Sequence, residues 1–495
     1  MASARSVRPS AVAEVASWDA QADVVIVGYG VAGAAAACEA AAAGADTLIL
    51  EWTGGWGGAA ALAGGFIYLG GGTALQQACG FTDTAEEMYK FLIAAMGPGA
   101  DPEKVEPYCQ QSVSHFDWLL ELGVRFNPTF YDQPGSVPGA DEGLMYSGGE
   151  NSWPFNEIAV PAPRGHLPAL PPGASRLGER GGGYYLMEPL AGRAGQLGVR
   201  AEFGVRADAL CVESDGRVAG VMGTRFGQPF AVRARRGVVL AAGGFTYNDD
   251  MVGRFAPEVV TRYGAAIEQH DGHAIRMAQA VGADLGRMDG AEVSPGLSAQ
   301  LIYRGIMING LGQRFVTEDT YPGRIGQAIR YKADDTAFLL IDQRAYEAAP
   351  AAPKERTSGQ GGKPAPTWAS ESLAELETLA ALPVGSLEST VALYNRHAVD
   401  GTDPVLHKGT RWVAPLEAPY GLFDLRQPRR AFSLGGLRTD PLGRVRHVAG
   451  DPVAGLYAAG RCTSGIPVWG YASGTSLGDG SFFGRRAGRA AAADE

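Results

Sequence analysis

Two groups of residues have types and spacings that suit chemistry. Near the start, Gly28-Tyr29-Gly30-Val31-Ala32-Gly33 has the form GxGxxG, and Glu51 follows near the ~20-residue distance at which an acid meets a ribose hydroxyl. In such a loop Gly28 lets the chain turn, Gly30 lets backbone N–H groups approach a pyrophosphate, and Gly33 lets helix and strand pack closely. In a chain this rich in glycine the string alone arises about once by chance, so its context must carry the reading. At the far end, Gly455-Leu-Tyr-Ala-Ala-Gly460 precedes Gly470-Tyr471-Ala472-Ser473-Gly474-Thr475-Ser476-Leu477-Gly478-Asp479-Gly480. That pattern predicts a strand, a glycine-rich turn and a helix start, with Ser476 and Asp479 spaced as a capping box. A helix start placed beside a redox ring would stabilise negative charge there. A third pair, His270 and His273, has metal-ligand spacing on one helical face, but no further Cys or His cluster accompanies it and no metal is expected.

The elements around the first group supply the missing context. Val24-Val25-Ile26-Val27 is too apolar for an exposed strand and predicts a buried parallel one; Ala32 to Ala43 predicts a helix of small residues, and Thr47 to Leu50 a second strand. This is one βαβ unit, with the glycine loop at its strand-to-helix turn and Glu51 at the end of its second strand, the arrangement of a dinucleotide site. Between NAD and FAD the loop leaves the choice open. Segments around 201–205, 209–212 and 217–222 predict a small antiparallel layer before the apolar run Gly237 to Ala242. The fold class expected is α/β: a Rossmann-type nucleotide-binding domain over 21–285 and 430–495, with an α+β domain inserted at 286–429. That insert mixes strand-like (Leu301 to Ile308, Ala337 to Ile341) and helical (Leu373 to Ala381, Ser386 to His397) patterns. Residues 1–20 read as a tail, 127–180 as an irregular stretch long enough for a lid, and 350–367 as an exposed loop.

Composition removes several functions. The 495 residues carry Lys+Arg 42 against Asp+Glu 53, a net charge of -11, so there is no basic excess for a nucleic-acid backbone. No stretch is long and apolar enough to predict membrane insertion. Five scattered cysteines without CxxC spacing, and an N-terminus without an apolar signal core, predict a reduced, cytoplasmic protein. Gly at 71 residues points to many close backbone approaches.

At these residues the chain resembles the FAD-dependent fumarate reductase and 3-ketosteroid dehydrogenase superfamily, over nearly all of 21–495. The likeness is carried by DVVIVGYGVAGAAAACEAAAAGADTLILE, GGWGGAAALAGG (54–65), GGGYYLMEPL (181–190), VVLAAGGF (238–245), HDGHAIRMAQAVGADL (270–285) and GLYAAGR…GYASGTSLGDGSFFGRRAG. It implies FAD, held by Gly28, Gly30, Val31, Ala32, Gly33, Glu51, Trp52, Gly57, Gly58, Ala59, Gly64, Gly65, Ala242, Gly243, Gly460, Arg461, Gly474, Ser476 and Leu477. Attachment is expected to be noncovalent, since the segment after Glu51 lacks the histidine that tethers flavin in succinate dehydrogenases. Arg461 departs from the Glu that many relatives carry after AAG. Where the reductases place an arginine a few residues after RFxxE, Arg314-Phe-Val-Thr-Glu318 is followed by Tyr321-Pro322-Gly323, with Arg324 beyond. Tyr321 with Tyr471 and Ser473 resembles the 3-ketosteroid Δ4-(5α)-dehydrogenases instead; the Δ1-dehydrogenases carry Tyr-Pro-Gly where this chain has Tyr471-Ala472-Ser473.

The resemblance implies a steroid substrate and an unidentified electron acceptor. Dehydrogenating a saturated 3-ketone requires a donor to the carbonyl, a base for the carbon 4 proton and an acceptor for the carbon 5 hydride. Tyr471, helped by the Gly474 N–H, is the expected donor; Ser473 is the expected base, and Tyr321 its relay. Tyr471 and Ser473 lie two apart, so an extended segment points both to one face. Tyr68, Phe245, Tyr303 and Trp469 are candidates for an apolar ring pocket, though core packing is the commoner role for such residues. The alternatives are Δ1-dehydrogenation, reduction of an unsaturated carboxylate, and a noncatalytic FAD carrier.

Overall fold

The computed structural model describes residues 7–133, 138–177, 180–257, 266–351, 363–426 and 430–494. A nine-stranded sheet organises the two ends of the chain. Strand Ala20–Val27 lies between parallel neighbours, Val24 to Val27 pairing with Thr47 to Leu50 on one side and with Gly237 to Leu240 on the other. Val24, Val25 and Ile26 have no exposure at all, as an apolar run covered on both faces must. The long strand Gln228–Leu240 changes partners along its length. Its first half is antiparallel to Val218–Arg225, while its last residues run parallel to Leu456–Ala458 and so draw the C-terminal segment into the sheet.

Helix Val31–Ala42 follows the first strand and packs along the C-terminal helix Thr475–Ala493. Both faces are made of small residues, which lets the backbones approach. A Cβ added at Gly484 would lie 2.4 Å from the Ala32 carbonyl oxygen, and one at Gly488 2.1 Å from that of Ala36. This contact fixes the start of the last helix beside the glycine loop, although the two are separated by most of the chain.

A second, antiparallel sheet of four strands lies within 306–424, in the order Ile306–Asn309, Ala337–Asp342, Tyr420–Asp424, Trp368–Ser370. Alternate residues of Ala337–Asp342 feed two cores, Leu339 and Ile341 packing with Ile325 and Ile329, and Phe338 and Leu340 with Leu376 and Leu387. Two short antiparallel ribbons, Leu285–Gly286 with Gly436–Leu437 and Ala291–Ser294 with Arg430–Ser433, carry the chain into and out of this unit.

Several sequence expectations are corrected. Arg200–Phe203 runs parallel to Thr47–Glu51 as an edge strand instead of joining the antiparallel layer. The segment Leu301 to Ile308 is broken: Ser298 caps a short helix, Ala299–Ile302, before the strand Ile306–Asn309 begins. The 127–180 stretch contributes three short strands to a four-stranded sheet with Ile67–Tyr68, and is pinned by a fully buried Arg164–Asp83 ion pair at 2.7 Å. Much of it is therefore packed wall rather than detached lid. Within the expected tail, Ser10–Ala11 pairs with Cys211–Val212. Most of the loop expected at 350–367 lies outside the described residues.

Candidate active site

The glycine loop is shaped by close approach at two positions and by open space at a third. Gly28 has φ +104°, and a Cβ there would sit 2.6 Å from the Ala241 carbonyl oxygen; one at Gly33 would lie 1.9 Å from the Gly28 oxygen. At Gly30 a Cβ would meet nothing within 4 Å. Gly30 therefore opens onto a cavity, with the first turn of Val31–Ala42 behind it and no side chain capping that helix. The Glu51 carboxylate is held in place by the Tyr29 N–H at 2.8 Å and by the Thr53 N–H and hydroxyl, each at 2.7 Å.

One cavity of about 1500 Å³, counting its open mouth, runs from Glu51 and Trp52 past both helix starts to Tyr471 and Ser473. Of the residues expected to bind the cofactor, Gly28, Gly30, Val31, Ala32, Glu51, Trp52, Gly58, Ala59, Gly64, Ala242, Gly243, Gly460, Arg461, Gly474, Ser476 and Leu477 line it. Gly33, Gly57 and Gly65 stand outside that lining. Gly33 closes the helix onto its strand, Gly57 caps the short helix Gly58–Leu62, and Gly65 abuts the backbone of Gly182, which a Cβ would approach to 2.4 Å. Residues that sequence reasoning did not single out also line the cavity. Arg206, its guanidinium 4.3 Å from the Trp52 ring centroid and 2.9 Å from Asp271, follows no motif. Phe432 likewise carries no sequence signal, whereas Asp271 belongs to the HDGH segment.

At the reactive end, three segments meet. The Ser473 backbone is gripped by Ser147, whose carbonyl accepts from the Ser473 N–H at 2.8 Å and whose hydroxyl donates to the Ser473 carbonyl at 2.9 Å. Tyr321 immediately precedes helix Pro322–Lys332, and its phenol comes close enough to the Ser473 side chain to interact with it. The turn before it is anchored by Arg314, which bonds Glu318 at 2.7 Å and Asp403 at 2.8 Å, and by the Tyr303 hydroxyl donating to the Thr320 carbonyl at 3.1 Å. The RFxxE pattern thus builds a buried scaffold that places the tyrosine. Tyr321 reaches the cavity wall through Ser473.

Tyr471 is wired differently. Its hydroxyl lies 2.9 Å from the Ser476 hydroxyl, which accepts from the Arg461 guanidinium at 2.6 Å. Arg461 also donates to the Ser433 carbonyl at 3.1 Å and stacks 4.0 Å from the Phe432 ring centroid. Burial raises the phenols of both Tyr471 and Tyr321, the latter well above its ordinary range, so both remain protonated donors. For Tyr471 the neighbouring Arg461 charge works against that rise.

The expected capping box does not form. Gly474 is the N-cap of the last helix, with φ +99°, which leaves Ser476 inside the first turn, free to join Arg461 to Tyr471. Asp479 instead accepts from the Ile466 N–H at 2.8 Å. Tyr68, Phe245 and Tyr303 are buried core residues, and Trp469 donates its indole N–H to Asp289 at 2.7 Å; none of the four lines this cavity. Arg324 donates to the Gly148 carbonyl at 3.0 Å, to that of Ala95, and to the Gln327 amide at 3.0 Å, while its guanidinium packs 4.9 Å from Phe155. Its Nε and Nη1 donors are committed to the protein, while the buried Nη2 has no hydrogen-bond partner. His273 bonds the Asp208 carbonyl at 3.0 Å, and His270, its pKa lowered to about 3 by burial and then by Arg461, packs on Gly243. No group of three metal-ligating side chains occurs among the described residues.

An elongated ligand with a ribose at Glu51, a pyrophosphate against the uncapped helix Val31–Ala42 and a ring against the start of Thr475–Ala493 fits this cavity, and the open space at Gly30 admits it. FAD has those parts. Residues 23–477 match the FAD binding domain family. The 3-ketosteroid-Δ4-(5α)-dehydrogenase of Rhodococcus jostii RHA1, solved in complex with 4-androstene-3,17-dione, superposes with a TM-score of 0.93 at 55% identity, covering 98% of this chain and 100% of that one. A 3-oxosteroid 1-dehydrogenase of Mycobacterium tuberculosis is 28% identical, covering 91% of this chain and 94% of the relative. A urocanate reductase of Eggerthella lenta is 27% identical, covering 95% and 74%. The chain belongs to the FAD-binding flavoproteins and, within them, to the family of 3-ketosteroid Δ4-(5α)-dehydrogenases.

Proposed function

We propose that this enzyme dehydrogenates a saturated 3-ketosteroid between carbons 4 and 5, using noncovalently held FAD, and passes the electrons to an acceptor still to be identified. The approach of Tyr321 to Ser473, which lines one cavity with Tyr471, carries this reading. When bound, FAD supplies the hydride acceptor. Tyr471 donates to the substrate's carbon 3 oxygen as enolate charge develops; Arg461, acting through Ser476, holds the phenol in position and supplies positive charge nearby. One such donor is worth about 3 kcal/mol in the transition state. Ser473 takes the carbon 4 proton while its own proton moves to Tyr321, which releases its phenol proton in turn. A serine hydroxyl is a weak base alone, and Tyr321 beside it offers a place for the displaced proton.

In this reading, residues 21–285 and 430–495 form a Rossmann-type cofactor domain and 286–429 an inserted domain that supplies Tyr321. The cytoplasm suits a chain whose five cysteines are all free. No helix among the described residues is long and apolar enough to cross a membrane.

Dye-coupled turnover of a saturated 5α-3-ketosteroid, with identification of the product, tests the assignment. A 4-ene-3-one product is expected. A 1-ene product would move the enzyme to Δ1 chemistry, and reduction of an enoate without steroid turnover would replace the assignment altogether.

A further inference from the structure

The dehydrogenation proposed above must dispose of the carbon 4 proton, and neither Ser473 nor Tyr321 can end that transfer. Both are hydroxyls that must release one proton for each they accept, and the buried Tyr321 phenol is a poor place for negative charge. A final base is required within reach.

Glu292 lies at that corner. Its strand, Ala291–Ser294, pairs antiparallel with Arg430–Ser433, and Glu292 stands opposite Phe432, so the two side chains share one face of the ribbon. Phe432 packs edge-on against Tyr471, with ring centroids 5.4 Å apart, and carries Arg461 on its ring. From the other side, helix Pro322–Lys332 lies so close to the same strand that a Cβ at Gly326 would be 1.7 Å from the Val293 carbonyl oxygen. That contact packs the helix headed by Tyr321 onto the strand that carries Glu292. The carboxyl belongs to a residue only 7% exposed, and it interacts electrostatically with Tyr321, Tyr471 and Arg461.

We propose that Glu292 is the proton acceptor at the end of the Ser473–Tyr321 relay. The carbon 4–hydrogen bond breaks and an O–H bond forms on Ser473; the former Ser473 proton passes to Tyr321, and the Tyr321 proton passes to the Glu292 carboxylate. The electron pair left on the substrate forms the carbon 4–carbon 5 double bond as hydride leaves carbon 5. The steroid is thereby oxidised by two electrons and FAD reduced by two.

Burial raises the Glu292 carboxyl to about 7, against the pull of Arg461, which suits a base that must receive and then release a proton near neutrality. The charged and titratable groups facing it are Arg461, Tyr471 and Tyr321. Behind them, Asp479 acts on Arg461, Arg461 on His270, and Arg324 on Tyr321.

The test is anaerobic flavin reduction by a saturated 5α-3-ketosteroid in the holoenzyme, followed across pH. Wild type should slow tenfold per unit below about pH 7, as Glu292 becomes protonated. Glu292→Gln should keep its FAD and visible spectrum, reduce about 10²-fold more slowly and lose that acid limb. Glu292→Asp should lie between the two in rate, with the limb retained and displaced.

A second readout is independent of turnover. A carboxyl whose folded pKa is raised binds its proton more tightly in the folded state, so its stabilising effect is present at low pH and lost as pH rises through the folded value. Relative to Glu292→Gln, wild type should therefore lose thermal stability between about pH 4.5 and pH 7 and level off above that. Wild-type rate and limb in Glu292→Gln, a slower variant with the limb intact, or an unchanged rate and limb in Glu292→Asp would each overturn the proposal. So would a pH-independent stability difference. If wild type reduces its flavin with steroid and only the variants disagree, the relay's end is wrong; if wild type is not reduced by steroid, the substrate assignment fails first and this proposal with it.

Discussion

At one end of the cavity, Gly28, Gly30 and Glu51, with Gly33 packed behind them, come from a single strand–helix–strand passage, and what matters is the space the backbone leaves. At the other end, Ser473 and Tyr471 are approached by Tyr321 from another sheet system and by the ribbon that carries Glu292, and what matters is which side chains are brought together. The first end binds through backbone groups that many sequences could present. The second depends on particular side-chain atoms, each placed by a separate long-range contact. Substitutions at the two ends should therefore separate cleanly, with cofactor retention lost at one and the rate of flavin reduction lost at the other.

The largest effects are expected at the reactive end. Ser473→Ala and Tyr471→Phe should each lower turnover by about 10³-fold with FAD content unchanged; near-normal turnover in either would remove that residue from the mechanism. Tyr321→Phe removes the relay hydroxyl yet keeps the ring, and about 10²-fold is expected in the rate of flavin reduction. An effect below threefold would mean that Ser473 passes its proton elsewhere. Ser476→Ala cuts the link between Arg461 and Tyr471 and should cost about tenfold, the scale of one hydrogen bond to a charged group. A loss of FAD with no change in rate per bound flavin would instead assign Ser476 to cofactor binding.

The nucleotide end should respond in the other currency. Gly33→Ala forces a Cβ against the Gly28 carbonyl and should lower stability by about 1–3 kcal/mol, read as a drop in Tm, with the rate per bound flavin preserved. Gly30→Ala meets open space in the protein, so it should leave the Tm of the apoprotein unchanged and weaken FAD binding severalfold. Equal Tm losses in both variants would contradict the division between packing and ligand space.

The same division explains what could be read from the chain. The βαβ passage, its loop and the Glu51 position are local patterns, each fixed by side-chain period and glycine spacing within a short stretch. The three hydroxyls were legible only through likeness to a family, because nothing local relates Tyr321 to Ser473; the buried Arg314–Glu318–Asp403 network that anchors the turn before Tyr321 follows from tertiary packing. Phe432 and Glu292 carried no signal at all. They sit on a four-residue ribbon whose importance comes from what it touches. The capping box failed for a related reason: the helix begins at Gly474, and the first-turn serine finds a better partner across the cavity than on its own backbone. Arg200–Phe203 has the composition of a strand, but its direction depends on which edge of the sheet is free.

The central claim is that a saturated 3-ketosteroid loses hydride from carbon 5 to FAD held in this cavity. Its most direct test is to mix the purified holoenzyme anaerobically with a saturated 5α-3-ketosteroid and follow the visible absorbance of the oxidised flavin. Bleaching with stoichiometric formation of the 4-ene-3-one is the predicted result. An unbleached flavin that dithionite still reduces would contradict it.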